Sequence, residues 1–187
     1  GTGTGDAITG ADTDSASTLE IENTDGANPH TLTIDGNIVD GGNDLAVEIN
    51  GGANGATTVD VDGNIAIDTT TGTVLVDSAV EDANLNVSGN ITSNGISLDG
   101  SDAGSASLTL DGSTAQTVGG AITNVGGADG TSLVVDNENG VTFSNAVGAL
   151  DSLTVTSGDA TFGGTADFDG DVTGAGTMTN NGAVNVG

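Results

Sequence analysis

The feature that most constrains this chain is a short motif in which apolar and polar residues alternate before a turn. It reads LTIDGNI at residues 32–38, VDVDGNI at 59–65 and LNVSGNI at 85–91, with looser copies at 96–100 and 108–112. Alternation with a period of two places the apolar residues on one face of a β-strand and the polar residues on the other. The glycine that follows suits a corner, because glycine adopts positive φ angles and allows close backbone approach.

The second apolar residue of the motif recurs at a nearly regular spacing. The equivalent positions are Ile34, Val61, Val87, Leu110, Val135 and Val155. They are separated by 27, 26, 23, 25 and 20 residues, which is close to the length of one coil of a β-solenoid. One such strand buries too little surface to be stable alone, whereas equivalent strands stacked about 4.8 Å apart form a continuous apolar column. The sequence therefore predicts an all-β fold, a β-solenoid of short strands with Gly, Asp and Asn turns.

The same alternation predicts strands along most of the chain. They are expected at residues 18–22, 31–35, 45–49, 57–61, 64–68, 73–77, 84–88, 96–98, 107–111, 132–136, 141–144, 152–156, 160–163, 166–168 and 183–186. Helix is nearly absent from this prediction, and residues 77–83 are the one stretch whose composition tolerates a helical turn. A β-sandwich is the alternative fold, because Asp-Gly pairs also close two-residue hairpins. Such pairs occur at Asp35-Gly36, Asp62-Gly63, Asp99-Gly100 and Asp111-Gly112.

No linker divides the chain by composition, so we expect a single β-solenoid domain over residues 1–187. Residues 119–130 are rich in glycine and weakly patterned, which makes them the one candidate for a subdomain boundary. The two ends of the chain read like interior repeat sequence. The chain is therefore also consistent with a segment of a larger solenoid.

The charge of the chain is strongly one-sided, with 27 acidic residues, no Lys or Arg and a formal net charge of -27. Nucleic acid and anionic lipid are bound by basic residues that displace counterions, so we expect neither partner and instead expect cations. Acidic chains with only 2% aromatic residues are often disordered, but the repeat argues against disorder here. No apolar run approaches the roughly 18 residues of a transmembrane segment. The chain also has no Cys for a disulfide or a thiolate metal site.

Carboxylates spaced by two residues are the best candidates for a binding site. Two trios of oxygen-bearing side chains have this spacing: Asp60, Asp62 and Asn64, and Asp167, Asp169 and Asp171. Each trio can present oxygen ligands from one strand face and the turn after it, and calcium is held by six to eight such oxygens. We therefore predict that calcium, if any cofactor, binds at these trios. The alternative is that the carboxylates only form a solvated outer face.

Enzymatic activity is not expected from this composition. Many β-helical enzymes that cleave acidic polysaccharides hold the substrate with Lys or Arg, and this chain has neither. A pair of carboxylates is in principle enough to hydrolyse a glycoside, but there is no Trp or Tyr to stack against the sugar. The single histidine, His30, follows Pro29 in a predicted turn and belongs to no recognisable catalytic motif.

Two stretches of the chain resemble known repeat sequences. Residues 107–118, SLTLDGSTAQTV, and residues 140–155, GVTFSNAVGALDSLTV, resemble the degenerate strand repeats of very large bacterial surface proteins. These include filamentous-haemagglutinin-like adhesins, autotransporter passengers and surface-layer proteins. The resemblance covers the C-terminal half well and the rest loosely, and its motifs specify an architecture rather than one protein. It implies a secreted, often cell-anchored β-solenoid that serves as a stalk, coat, filament or adhesin.

The repeat, the glycine-rich corners and the lack of basic residues favour an extracellular or cell-surface structural protein, as a filament or surface-layer subunit or an adhesin stalk. Because exposed strand edges pair readily with further strands, we expect self-association into a homopolymer or surface array by strand stacking or strand exchange. One alternative is a carbohydrate- or receptor-binding module that contacts glycan through loops such as residues 119–130. The other is a polysaccharide-cleaving β-helix enzyme.

Overall fold

The computed structural model describes residues 6–10, 17–24, 28–42, 44–53, 55–101, 103–126 and 130–187, whose regular elements are all β-strands in three sheets. Sheet A contains β1 (Asp6–Thr9), β4 (Asn37–Val39), β7 (Ile65–Ala66), β10 (Ile91–Thr92), β13 (Gln116–Val118), β16 (Val141–Phe143), β19 (Asp159–Phe162) and β22 (Thr177–Asn180). Sheet B contains β2 (Ser17–Glu22), β5 (Leu45–Asn50), β8 (Thr73–Asp77), β11 (Gly95–Asp99), β14 (Ala121–Asn124), β17 (Val147–Leu150), β20 (Ala166–Phe168) and β23 (Val184–Val186). Sheet C contains β3 (His30–Ile34), β6 (Thr57–Val61), β9 (Ala83–Val87), β12 (Ala106–Leu110), β15 (Thr131–Asp136), β18 (Ser152–Ser157) and β21 (Val172–Gly174).

Successive strands belong to sheets A, B and C in turn, so each coil contributes one strand to each sheet. Neighbouring strands in a sheet come from successive coils and are parallel. This arrangement is the β-solenoid that the motif spacing predicts. The β-sandwich alternative is wrong. It depends on two-residue hairpins, which connect antiparallel strands, whereas the neighbouring strands here are parallel. The Asp-Gly pairs instead lie where the chain turns from one sheet to the next.

The interior consists of apolar columns that run along the solenoid axis. The predicted column lies on the inner face of sheet C and is confirmed: Ile34, Val61, Val87, Leu110, Val135 and Val155 pair in register and are buried. Sheet A supplies a second buried column, Ile38, Ile65, Ile91, Val118, Phe143 and Phe162. Full burial of one such side chain contributes about 1.5–3 kcal/mol. The columns are therefore the main source of stability in a chain without disulfides.

The three phenylalanines of the chain lie together in the later coils. Phe143 and Phe162 stack with ring centroids 4.9 Å apart and an interplanar angle of 8°. Phe168 of sheet B meets Phe162 edge to face, with centroids 6.0 Å apart. Such pairs add about 0.5–1.5 kcal/mol to the burial of the rings. They therefore link sheets A and B inside this part of the solenoid.

The corner between sheets C and A explains the glycine of the motif. A Cβ atom on Gly63 would lie 2.4 Å from the carbonyl oxygen of Gly36, and one on Gly89 would lie 2.4 Å from the carbonyl oxygen of Gly63. Such a distance is a severe steric overlap with backbone atoms that have little room to move. Gly36 also has a φ angle of 138°, which side chains disfavour. The backbones of successive coils thus touch at this corner, and glycine is the residue that fits there.

Residues 77–83, where the composition tolerates a helical turn, are not helical. Asp77 ends β8 and Ala83 begins β9, with a turn between them. Ser78 is buried in that turn, and its Oγ accepts a hydrogen bond of 3.0 Å from the amide of Ser101 in the next coil. Hydrogen bonds between coils therefore take the place of the i to i−4 backbone hydrogen bonds that a helix would need.

The two ends of the solenoid differ from its middle. Sheets A and B have eight strands each, whereas sheet C has seven. The outermost strands are β1, β2 and β3 at one end and β22, β23 and β21 at the other. Within the described residues, each of these six strands therefore has one edge without a strand partner. No helix in this part of the chain has the length and apolarity to cross a membrane.

Candidate functional site

The outer face of sheet C carries columns of short polar side chains. The column through β3 consists of Thr33, Asp60, Asn86 and Thr109, one residue from each of four successive strands. Asn86 Nδ2 donates a hydrogen bond of 2.6 Å to Asp60 Oδ1. Because the strands are in register, these groups repeat at the strand spacing of about 4.8 Å. The face offers hydroxyl, amide and carboxylate groups, which suit cations and neutral hydrogen-bonding partners better than anions.

Asp60 and Asp62, two of the predicted calcium ligands, line one open groove of about 400 Å³ on this face. Asp60 is half-buried within β6, and Asp62 is exposed in the corner that follows. Asp111 and Ser88, from later coils, line the same groove. Among the described residues, however, no group of three or more His, Cys, Asp or Glu side chains is arranged to hold a metal ion. Calcium in this groove stays a prediction.

Asn64, the third predicted ligand of this trio, is engaged at the corner between sheets C and A. Its backbone amide and Nδ2 donate to Asn37 Oδ1 at 2.8 and 3.1 Å, and its own Oδ1 accepts from the amide of Asn90 at 2.8 Å. Asn90 Oδ1 accepts in turn from the amide of Thr117 at 2.7 Å. We call Asn37, Asn64 and Asn90 the asparagine ladder. Asn64 does not line the groove of Asp60 and Asp62, and its side-chain oxygen already serves the next coil.

The second predicted trio is spread over a strand and the corner after it. Asp167 lies half-buried in β20, whereas Asp169 and Asp171 are exposed. Both exposed residues are held through the backbone: the amide of Asp169 donates to the carbonyl of Leu150 at 2.8 Å, and the carbonyl of Asp171 accepts from the amide of Leu153 at 3.0 Å. Their carboxylates therefore project from an ordered corner, and calcium binding there also stays a prediction.

Two further carboxylates face one another across sheet B. Asp77 and Asp99 are in register at the ends of the adjacent strands β8 and β11. Burial raises the pKa of Asp99, and the negative charge of Asp77 raises it further. Like charges at neighbouring positions of a sheet repel each other. This pair is therefore a local source of instability that protonation or a bound cation would relieve.

Asp68 has the opposite electrostatic environment. Its Oδ1 accepts hydrogen bonds from the Thr70 hydroxyl at 2.5 Å, the Thr70 amide at 2.6 Å and the Thr71 amide at 3.0 Å. These bonds favour the ionised carboxylate and lower the pKa of Asp68 to about 2. The carboxylate is thus used to shape the turn after β7, and it stays charged at any physiological pH.

His30 lies at the start of β3, and its side chain is exposed. It borders a groove of about 290 Å³ that is also lined by Ile21 and Leu32. Leu32 is 45% exposed although it occupies an inner position, because β3 is the outermost strand of sheet C. The in-register residue of the next coil, Val59, is fully buried. Among the described residues, this groove therefore lies at the β3 edge of sheet C.

The loop that we predicted for glycan contact lies partly within sheet B. Residues 119–130 include β14, which pairs with β11 and β17, so the sheet continues through this region. Val125 next to this strand is 54% exposed. Residues 127–129 lie outside the described residues. A glycan contact at this loop stays a prediction.

Sequence reasoning missed a buried polar network at the corner before β13. Gln116 Nε2 donates to the carbonyl oxygens of Val87 and Gly89 at 2.8 and 2.6 Å. Its Oε1 accepts from the amide of Gly112 at 3.0 Å and from Asn137 Nδ2 at 2.8 Å. Gln116 and Asn137 are both buried, and these hydrogen bonds provide partners for the buried polar groups of the corner. The sequence signal was weak, because neither residue belongs to the repeated motif.

The described polar side chains thus bond mainly to the coil before or after their own, which indicates a role in holding coils together. What the described residues leave available to a partner is the hydroxyl, amide and carboxylate surface. Comparison with known proteins adds no relative, since no family model, no curated protein and no solved structure matches the chain.

Proposed function

We propose that this protein is an extracellular structural protein that serves as a filament or surface-layer subunit or as the stalk of an adhesin. The observation that carries the proposal is the set of apolar columns that continue from coil to coil beneath a repeating polar surface. A solenoid of this kind is a quasi-one-dimensional body whose length depends on the number of coils. Such a body is suited to hold apart, or to connect, what lies at its two ends.

The charge of the chain supports a role outside the cell. A formal net charge of -27 keeps separate copies soluble by mutual repulsion and concentrates cations at the surface. Proteases that cleave after Lys or Arg find no site in this chain, because it has neither residue. Resistance to such proteases is an advantage for a protein exposed to the surroundings of a cell.

Calcium is part of the proposal, with the groove of Asp60 and Asp62 as the first place to test. Thermal melting in calcium and in magnesium at equal ionic strength separates an ordered site from general screening of charge. We expect calcium to raise the melting temperature more than magnesium does, and the exposed substitution Asp62→Asn to remove the difference. Equal shifts with both ions would show that cations act by screening alone.

Location is tested on intact cells of the source. Antibodies raised against the purified chain should label unpermeabilised cells, and a protease of broad specificity should remove the label. Trypsin serves as the control: it has no cleavage site within residues 1–187, so any fragment that trypsin releases should still contain this chain intact. Labelling that requires permeabilised cells would contradict the proposal.

A further inference from the structure

Two short stretches of the chain match the acceptor sequence for N-linked glycans, Asn-x-Ser/Thr, in which x is any residue except Pro. They are Asn86-Val87-Ser88 and Asn90-Ile91-Thr92. A chain with this much Asn and Thr contains such matches by chance, so the motif alone does not identify an acceptor. The structure separates the two matches, because their side chains have different surroundings.

Asn86 is poorly placed to carry a glycan. It lies within β9 on the outer face of sheet C, half-buried between its in-register neighbours Asp60 and Thr109. Its Nδ2, the atom to which a sugar would be attached, donates a hydrogen bond of 2.6 Å to Asp60 Oδ1. The Ser88 hydroxyl, which the acceptor sequence also requires, donates to Asp111 Oδ1 at 3.1 Å. Both groups that a glycosyltransferase must reach are therefore engaged between coils.

Asn90 has the opposite surroundings. It is exposed in the corner between sheets C and A, immediately before β10. Its Oδ1 accepts a hydrogen bond of 2.7 Å from the amide of Thr117, and its own amide donates to Asn64 Oδ1 at 2.8 Å. Among the described residues, Asn90 Nδ2 donates to no partner. The side chain is thus oriented through its oxygen, and its nitrogen is available for attachment.

The other residues of this second match are equally well placed. Thr92 is exposed in β10, and within the described part of the chain its hydroxyl makes no hydrogen bond. The residue between them, Ile91, has a fully buried side chain. This alternation of exposed, buried and exposed residues places Asn90 and Thr92 on the same outer side. The corner therefore presents the amide nitrogen and the hydroxyl together to the solvent.

We propose that Asn90 is the acceptor of an N-linked glycan. In the transfer, Nδ2 forms a bond to the anomeric carbon of a sugar diphosphate, the bond from that carbon to the diphosphate oxygen breaks, and Nδ2 gives up one proton. The sugar donor is a lipid-linked or a nucleotide-linked diphosphate, used by a transferase of the source. Attachment uses only the nitrogen, so the hydrogen bond from Thr117 to Oδ1 is retained. This inference rests on the proposed extracellular function, because N-linked glycans are typical of secreted proteins.

Mass spectrometry of the protein purified from its source tests the proposal directly. After denaturation, a protease that cleaves behind acidic residues releases residues 83–99 as one fragment, since Asp82 and Asp99 are the acidic residues that bound it. The fragment should carry a sugar, and electron-transfer fragmentation should locate it on Asn90. A single sugar would indicate a nucleotide-linked donor, and an oligosaccharide would indicate a lipid-linked one. An unmodified fragment, or a sugar found only on Asn86, would overturn the inference.

Two matched substitutions, expressed in the source, test whether the sugar depends on this acceptor sequence. Thr92→Val removes the hydroxyl that the sequence requires but keeps Asn90 and its hydrogen bond from Thr117. Thr92→Ser retains a hydroxyl. The Val variant should lose the sugar and the Ser variant should keep it, with both folded by circular dichroism. Asn86→Gln, which removes the other match, should also keep the sugar. Equal occupancy in the Val and Ser variants would contradict the assignment.

The inference and the proposed function fail in distinguishable ways. A protein that antibodies label on intact cells, but whose Asn90 carries no sugar, would refute the glycan and leave the extracellular role intact. A protein found only inside cells would refute the extracellular function. A sugar on Asn90 of such an intracellular protein would still establish the acceptor.

Discussion

Asp77 and Asp99 occupy in-register positions on adjacent strands of sheet B, so two negative charges lie next to each other within one face. The pKa of Asp99 is raised, which means that the folded state binds the proton more tightly than the unfolded state does. The resulting penalty is present at neutral pH and disappears as the pH falls through the raised pKa. The substitution Asp99→Asn should therefore increase the free energy of unfolding at pH 7 by about 0.2–1 kcal/mol.

Urea unfolding at pH 7 and at lower pH measures this effect. The control is Asp169→Asn, which removes one negative charge from an exposed corner. If both variants gain the same stability, the gain comes from net charge rather than from the pair. A gain that persists unchanged at low pH would also contradict the assigned cause.

We expect the asparagine ladder to contribute more to the free energy of unfolding than the exposure of its side chains suggests. The substitution Asn64→Ala removes the Oδ1 that accepts from the amide of Asn90 and the Nδ2 that donates to Asn37 Oδ1, whereas Asn37 keeps its bond from the backbone amide of residue 64. Loss of these two hydrogen bonds, one part-buried and one exposed, should lower the free energy of unfolding by about 0.5–1.5 kcal/mol. Chemical denaturation measures the change, with Asn94→Ala at an exposed turn as control. Equal stability of the two variants would refute a structural role for the ladder.

Two glycines provide a sharp test of the close contact between coils. A Cβ on Gly63 would overlap the carbonyl oxygen of Gly36, whereas a Cβ on Gly148 would meet nothing within 4 Å. The substitution Gly63→Ala should therefore destabilise the fold by about 2 kcal/mol or more, as steric strain in a packed region does. Gly148→Ala should be neutral or slightly stabilising, because alanine restricts the unfolded chain. Thermal melting of the two variants gives the comparison, and similar melting temperatures would contradict it.

The hydrogen bonds in the turn after β7 make the carboxyl group of Asp68 unusually acidic. The pKa of Asp68 is about 2, below its ordinary value of 3.8. A lowered folded pKa means that the contribution of Asp68 to stability is present above about pH 4 and is lost as the pH falls through about 2. An NMR titration should find the midpoint of Asp68 near 2, and Thr70→Val should move it upward. Thr69→Val, at the neighbouring exposed position, should leave the midpoint unchanged.

The strands that the sequence predicted best are those of sheet C. Five-residue strands such as β6 and β9 place three inward residues in strict alternation, as Val59 and Val61 illustrate. The strands of sheet A were harder to predict, and β1, β4, β10, β13 and β22 were missed. A strand of two residues such as β10 places one buried residue inward, here Ile91, which leaves no period to detect. Strand β17 was missed because Gly148 and Ala149 interrupt its alternation.

The candidate site was predictable only in part. Alternation with Val61 correctly placed Asp60 on the outer face, since strand period alone determines the face. The partners of Asn64 could not be read from its neighbours in sequence, because they come from coils 27 and 26 residues away. Part of the pKa shift of Asp99 has the same origin, since the charge that adds to the effect of burial is that of Asp77, the residue of β8 that lies opposite. Register between coils, rather than local pattern, decides these interactions.

The parallel stacking of short strands also determines how this molecule would respond to a pull on its two ends. The hydrogen bonds between strands run along the direction of the pull, and each coil is held only by its neighbours. Force would therefore detach coils one after another instead of opening the whole structure at once. Each coil of 20 to 27 residues would release roughly 65–95 Å of extended chain, so the molecule would lengthen in steps under load.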